Sequence, residues 1–234
     1  MLDLLQIVAE TADFVVLNKP AGLSFHSEDG PGLVVQAEQQ LGVKLYPVHR
    51  LDKITSGLIL LAKNSVAAAE LTRQFSQREI IKCYLALSEQ KPTKKQGWVK
   101  GDMQPARRGA WRLMHSQQQP ALTYLVSQGY ENLPFRAFLL RPYTGKTHQL
   151  RVALKSLGAP ILGDTLYGGK VSDRVYLHAY ALALVFAGVN YEFSVLPNKG
   201  AAFATLFEAG LPEAWQNPWQ YAWPASPLIS YLNP

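Results

Sequence analysis

The densest group of reactive side chains is His49-Arg50-Leu51-Asp52-Lys53-Ile54-Thr55-Ser56-Gly57, which leads directly into the apolar run Leu58-Ile59-Leu60-Leu61-Ala62. A loop that offers Asp, Arg, Thr and Ser at the mouth of a buried strand suits chemistry, because a rigid element behind it fixes the groups in front. A carboxylate held there can act as a nucleophile or a general base. The same Asp can equally cap a turn, a common use of Asp in loops. A hydrolase built on Asp52 and His49 lacks a second catalytic group at usable spacing.

Other polar clusters fail the tests of familiar chemistry. Thr144-Gly145-Lys146-Thr147 resembles the end of a phosphate-binding loop, but that loop needs a glycine where Leu140 stands, and Pro142 follows soon after. Gly22-Leu23-Ser24-Phe25-His26 has no glycine where a serine-hydrolase elbow needs one. His26, His49, His115, His148 and His178 show no metal-ligand spacing, and the single cysteine excludes both a disulfide framework and a Cys-x-x-Cys zinc site.

The elements around these residues follow from periodicity. Leu58 to Ala62 is a continuous apolar run, as in a strand buried on both faces. Further strands are expected at Leu5 to Ala9, Phe14 to Leu17, Ile80 to Leu87, Ala121 to Val126, Phe135 to Arg141, Tyr176 to Phe186 and Tyr191 to Val195. Leu33 to Leu41 reads as a helix, and Asn64 or Ser65 can cap another in which Ala67, Leu71 and Phe75 recur at four-residue spacing. Thr147 to Leu157 reads as a third. Leu150, Ala153, Leu154 and Leu157 share its core face, His148, Arg151 and Lys155 share the other, and Gly158 and Pro160 stop it.

Composition sets the outer bounds. With 234 residues, 48% of them hydrophobic, the chain affords a sizeable core and excludes wholesale disorder. The start, Met1 to Glu10, lacks the basic region of a secretory signal, and the apolar run near Ala179 to Val189 is about half the ~20 residues that a membrane helix needs. The net charge of +6 is local: Lys91, Lys94, Lys95, Lys100, Arg107, Arg108 and Arg112 face only Asp102, with Trp98 and Trp111 among them. Such a segment suits a phosphate backbone with bases to stack on, and equally a solvated surface hairpin. Beyond Pro212 the chain is rich in Trp, Tyr and Pro, an aromatic tail expected to pack on the domain.

Taken together, five ordered segments resemble the RluA-type pseudouridine synthases. They are Asn18-Lys19-Pro20-Ala21-Gly22-Leu23, the His49 to Lys63 motif, Lys82-Cys83-Tyr84-Leu85-Ala86, Pro142 to Val152, and Gly158 to Asp164 with Tyr167-Gly168. Lys146 stands where the family usually has Arg, and Ala153 where a histidine is frequent. The resemblance runs from about Leu5 to Leu196. It implies isomerisation of uridine in RNA: the N1–C1′ glycosidic bond breaks and the base rejoins through C5.

The resemblance also implies roles. Asp52 is the catalytic carboxylate, attacking the sugar or the base or removing a sugar proton. Tyr84 stacks on the target base and assists proton transfer. Arg151 pairs with Asp52, favouring the ionised form that alone is nucleophilic or basic. The target uridine must leave its stack first. Arg50 is suited to fill the vacated space or hold a phosphate, while His49 supports the loop. Thr55, Lys82, Lys146 and His148, with Arg107, Arg108 and Arg112, form the expected substrate-binding set, Lys82 as a structural partner rather than a catalyst.

The expected fold is α+β, a long, mostly antiparallel mixed sheet flanked by helices. It forms one catalytic domain over residues 1–234, without an S4-type RNA-binding domain, with the tail 212–234 packed on it. Neither metal nor organic cofactor is required. The expected partner is ribosomal or transfer RNA, and the protein is expected to be a cytoplasmic monomer with no membrane attachment. A non-catalytic RNA-binding or chaperone protein on the same fold is the alternative, although a pure binder needs no trio of Asp52, Tyr84 and Arg151.

Overall fold

The computed structural model describes residues 4–27 and 30–227. Its first elements are β1 (Gln6–Glu10), β2 (Phe14–Lys19), α1 (Leu33–Leu41), β3 (Tyr46–Pro47), β4 (Ser56–Ala62), α2 (Ser65–Gln77) and β5 (Ile81–Ser88). Then come β6 (Gln96–Gly101), β7 (Met103–Pro105), β8 (Trp111–Leu113), β9 (Ala121–Gly129), β10 (Arg136–Pro142) and α3 (Gln149–Ser156). The last are β11 (Leu177–Phe186), β12 (Val189–Ser194), α4 (Ala201–Ala209) and α5 (Glu213–Gln216). The fold class is α+β, as expected. None of the described helices is long and apolar enough to cross a membrane.

Two compact units are each built from two chain segments. The first comprises the described part of Met1–Lys82 with Leu177–Asn198. Its strands run in the order β1-β2-β4-β11, with β3 on β4 and β12 on β11. Only the β4–β11 pairing is parallel, so this layer is mixed. All seven residues of β4 are buried, which is why Leu58 to Ala62 are apolar without alternation, while Ser56 at its start is buried with a hydrogen-bond partner. Phe14, Leu58, Leu60, Leu71 and Leu182 share its core, and Phe14 meets Phe186, Tyr191 and Phe193 edge to face. Asn64 caps α2, its side chain accepting from Ala67 N at 2.8 Å.

The second unit comprises Cys83–Tyr176 and the described part of Lys199–Pro234. Its strands run β5-β10-β9-β6, the β10–β5, β10–β9 and β9–β6 pairs all antiparallel, and β7 and β8 form a separate hairpin. The 212–234 tail is described only to Pro227, so Tyr231 and Pro234 lie outside the described residues. Within it, the Tyr143 hydroxyl donates to Pro224 O at 2.6 Å, and Trp223 meets Tyr124 edge to face.

α3 and α4 both depart from the expected pattern. α3 begins at Gln149 rather than Thr147, because His148 takes a left-handed conformation with φ of 56°. The loop before it is closed instead by Gln149, whose side chain accepts from Thr144 Oγ1 at 2.7 Å and Lys146 N at 3.0 Å and donates to Leu122 O and Thr123 Oγ1, both at 3.0 Å. That network accounts for the polar, buried Thr144, while Gly145, Lys146 and Thr147 after it are exposed. α4 has no counterpart in the expected pattern; its Phe203 is buried against the Tyr176 ring, with centroids 4.9 Å apart.

Candidate active site

In the first unit the Asp52 loop is held from several sides. Lys19 is fully buried at the end of β2, and its ammonium donates to three carbonyls, Pro20 O at 3.0 Å, Leu23 O at 2.8 Å and Lys53 O at 3.0 Å. The Gly22 amide donates to Lys53 O as well, at 2.8 Å. These contacts join the Asn18 to Leu23 segment to the residue after Asp52. Thr55, buried behind the loop, donates its amide to Asp52 O at 3.0 Å. Asp52 itself is half-buried, and Arg50 is exposed two residues before it.

The exit from the loop is fixed as firmly. Ser56 Oγ lies 2.7 Å from His178 Nδ1, and His178 Nε2 lies 2.8 Å from Val195 O. A carbonyl can only accept, so Nε2 donates to Val195 O, and in the neutral ring Nδ1 accepts from the serine. Gly57 follows, with φ of 109° and so close to β11 that a Cβ would lie 2.3 Å from Ala179 O. Only glycine allows that approach.

His49 supports the loop from behind. Its Nε2 accepts from Leu60 N at 2.9 Å, and its ring stacks on Phe75 with centroids 4.2 Å apart. Burial, and secondarily the charge of Lys82, lowers its pKa from 6.5 to about 3. Lys82 sits 5.6 Å from the Phe75 ring centroid, and burial lowers its own pKa. Lys82 is thus placed with the His49–Phe75 stack. Between pH 6.5 and about 3, the unfolded chain takes up a proton at His49 that the folded chain rejects. This contribution to stability is complete above pH 6.5 and is lost as pH falls, by up to about 1.4 kcal/mol per unit. Urea unfolding at about pH 7 and about pH 4.5 is expected to show a smaller loss for His49→Gln than for the wild type; equal losses would contradict it.

In the second unit Tyr84 lies on β5 opposite Leu140 of β10, which in turn faces Leu125 of β9. Side chains alternate along a strand, so Thr123 shares the face of Leu125 and Tyr84. Gln149 of α3 bonds Thr123 Oγ1, so α3 covers the face from which Tyr84 projects. Tyr84 is 9% exposed.

Arg151 is not on a solvent-facing side of α3, as the helical pattern suggests, but buried at 6% exposure. It makes a bidentate pair with Asp164, Nε to Oδ2 at 2.7 Å and Nη2 to Oδ1 at 2.8 Å. The planar guanidinium matches a carboxylate in this fork geometry, and the pairing fixes its plane. The Tyr167 ring lies 4.8 Å from its central carbon. Asp164 and Tyr167 belong to the Gly158 to Gly168 motif, yet nothing in the sequence assigns them to Arg151. Lys19 is likewise a motif residue whose work becomes visible only in three dimensions.

The remaining expected contacts lie at the surface of this unit. Lys146 is exposed before α3, and His148 stands at the N-terminus of that helix, its Nδ1 2.8 Å from Tyr167 Oη. Arg107 and Arg108 occupy the turn of the β7–β8 hairpin and Arg112 lies on β8, all three exposed. Asp102 ties the base of the hairpin, accepting from Gln118 N at 3.1 Å and Gln119 N at 2.8 Å. A hydrogen bond from Ser116, then those amides, then the charge of Lys146 hold its carboxyl below the usual range. Among the described residues, no group of three His, Cys, Asp or Glu side chains is placed to hold a metal ion.

Comparison with known proteins gives a consistent picture. The family model for RNA pseudouridylate synthases matches residues 13–156, more than half of the chain. An uncharacterized RNA pseudouridine synthase of Haemophilus influenzae is 48% identical over 211 residues, covering 87% of this chain and 93% of the relative. A ribosomal large subunit pseudouridine synthase C of Rickettsia bellii is 35% identical over 191 residues, covering 76% of this chain and 63% of that longer protein. The solved structure of human RNA pseudouridylate synthase domain containing 1 superposes with a TM-score of 0.71 at 30% identity, covering 83% of each chain.

Proposed function

Because the chain belongs to the RNA pseudouridylate synthase family, with motifs of the RluA type, we propose that it converts specific uridines of structured RNA to pseudouridine with Asp52 as its catalytic carboxylate. The observation that carries this reading is the braced loop around Asp52: Lys19, Gly22 and Thr55 hold its backbone from both sides. Such bracing keeps a reacting group in place without reorganisation during the reaction. The RNA is ribosomal or transfer RNA. A ribosomal target is supported by the likeness to the Rickettsia bellii enzyme, whose name places it on the large ribosomal subunit.

Asp52 acts on the target nucleotide after it leaves its stack. Tyr84 offers its ring to the uracil face, and Arg151, its plane set by Asp164, supplies a fixed cationic group for the reaction. Release of the base from C1′ and its return through C5 displaces the C5 proton to solvent. RNA carrying tritium at uracil C5 therefore provides the test. Tritium release with formation of pseudouridine is expected; tight RNA binding with no release would favour a non-catalytic RNA-binding protein.

Stacking and proton transfer at Tyr84 are separable. Phe keeps an aromatic face, whereas Ala removes it. Stacking is worth roughly 1–3 kcal/mol, so RNA affinity is expected to survive Tyr84→Phe and fall with Tyr84→Ala. Loss of the phenol is expected to slow single turnover by roughly 10²–10⁴-fold. A normal rate in Tyr84→Phe would leave stacking alone, and a normal Tyr84→Ala would remove the residue from the site.

The hairpin supplies the phosphate contacts. Replacing Arg107, Arg108 and Arg112 together with Ala is expected to weaken binding to all RNAs. The plot of log affinity against log salt is expected to flatten by ~0.7–0.9 for each phosphate that is no longer neutralised. An unchanged affinity and slope would make the segment a plain surface hairpin.

A further inference from the structure

Tyr167 touches two parts of the second unit that have separate roles in the proposed reaction. It is 5% exposed, and its ring faces the Arg151 guanidinium at 4.8 Å. Its hydroxyl oxygen accepts from the backbone N–H of Trp111, the first residue of β8, at 2.9 Å. The same oxygen is 2.8 Å from His148 Nδ1. A peptide N–H can only donate, so toward the hairpin the phenolic oxygen is the acceptor.

The tyrosine is itself rigidly mounted. It ends the single turn Thr165–Tyr167, and its amide donates to Asp164 O at 3.1 Å. Asp164 is the residue that grips Arg151 through two hydrogen bonds. The hairpin, by contrast, has only three residues in each strand, with Trp111 opposite Pro105, which has no N–H to give. Asp102 ties the hairpin at its base, and the Tyr167 hydroxyl is a second anchor at the opposite end of the strands, beside the turn.

We infer that Tyr167 is a positioning residue that couples the seat of the basic hairpin to the orientation of Arg151. Tyr167 holds β8 through its hydroxyl and the guanidinium through its ring, so the seat of one is fixed relative to the other. RNA drawn onto Arg107, Arg108 and Arg112 thereby bears on the group that acts beside the target base. The inference rests on the proposed function for the roles of Arg151 and the hairpin, while the coupling itself is a property of the protein alone.

Tyr167→Phe and Tyr167→Leu in the full chain test it. Phe keeps the ring against Arg151 and loses the anchor to Trp111. Amide exchange at Trp111 is expected to speed up by about fivefold in Tyr167→Phe, the share of one ordinary hydrogen bond. KM for RNA is expected to rise by a similar factor, with a smaller change in kcat. Tyr167→Leu removes the ring too, and its kcat is expected to fall by about tenfold more than that of Tyr167→Phe. Wild-type exchange at Trp111 in Tyr167→Phe would overturn the coupling, and so would a loss confined to kcat in that variant. The exchange measurement needs neither RNA nor turnover. A wild type that releases no tritium would refute the proposed function and leave the exchange result to decide the coupling.

Discussion

Asp52→Asn is expected to abolish pseudouridine formation, lowering the single-turnover rate by about 10⁴-fold or more, with RNA affinity and folding retained. The carboxamide has nearly the shape of the carboxylate but is neither nucleophilic nor basic at neutral pH. Lys19, Gly22 and Thr55 hold the loop through backbone atoms of Asp52 and Lys53, which the substitution leaves in place. Tritium release from C5-labelled RNA measures the rate, and thermal unfolding checks the fold. Turnover by an Asp52→Asn preparation free of deamidated protein would remove Asp52 from the chemistry.

Asp164→Ala is expected to have the largest effect on stability, about 3–5 kcal/mol in urea unfolding. Arg151 and Asp164 are 6% and 2% exposed, so deleting the carboxylate leaves a guanidinium charge in the interior without its bidentate partner. Activity is expected to fall as well, since the plane of Arg151 is no longer set. The double substitution Arg151→Met with Asp164→Leu is expected to cost less stability than Asp164→Ala alone, because neither charge of the pair is left buried. A loss below about 1 kcal/mol in Asp164→Ala would show that this pair is not a buried one.

The parts of the fold legible in the sequence are those governed by local pattern. Burial on both faces shows as the continuous apolar run Leu58 to Ala62 in β4, and Asn64 with the Ala67, Leu71 and Phe75 spacing marks α2. The order of motifs marks Asp52 and Tyr84 as candidates. What holds those candidates in place is not legible, because it depends on residues far apart in the chain. Lys19 reaches Lys53, 34 positions on, and Ser56 meets His178, 122 positions on. The amphipathic pattern of α3 places Arg151 opposite the core residues, but a pattern cannot foresee that Asp164 covers that side and permits burial of the charge. α4 carries a local signal of its own, Phe203, Leu206 and Phe207 at helical spacing in an alanine-rich run between Gly200 and Gly210, and its packing on Tyr176 is what lies beyond that pattern.

The most direct test of the central claim is pseudouridine mapping across total RNA from cells with the gene, without it, and with the gene restored as wild type or as Asp52→Asn. One or a few discrete uridines in ribosomal or transfer RNA are expected to lose the modification on deletion, to regain it with the wild-type gene, and to remain uridine with Asp52→Asn. Unchanged modification at every uridine after deletion, together with no conversion when the purified protein is added to that RNA, would contradict the claim.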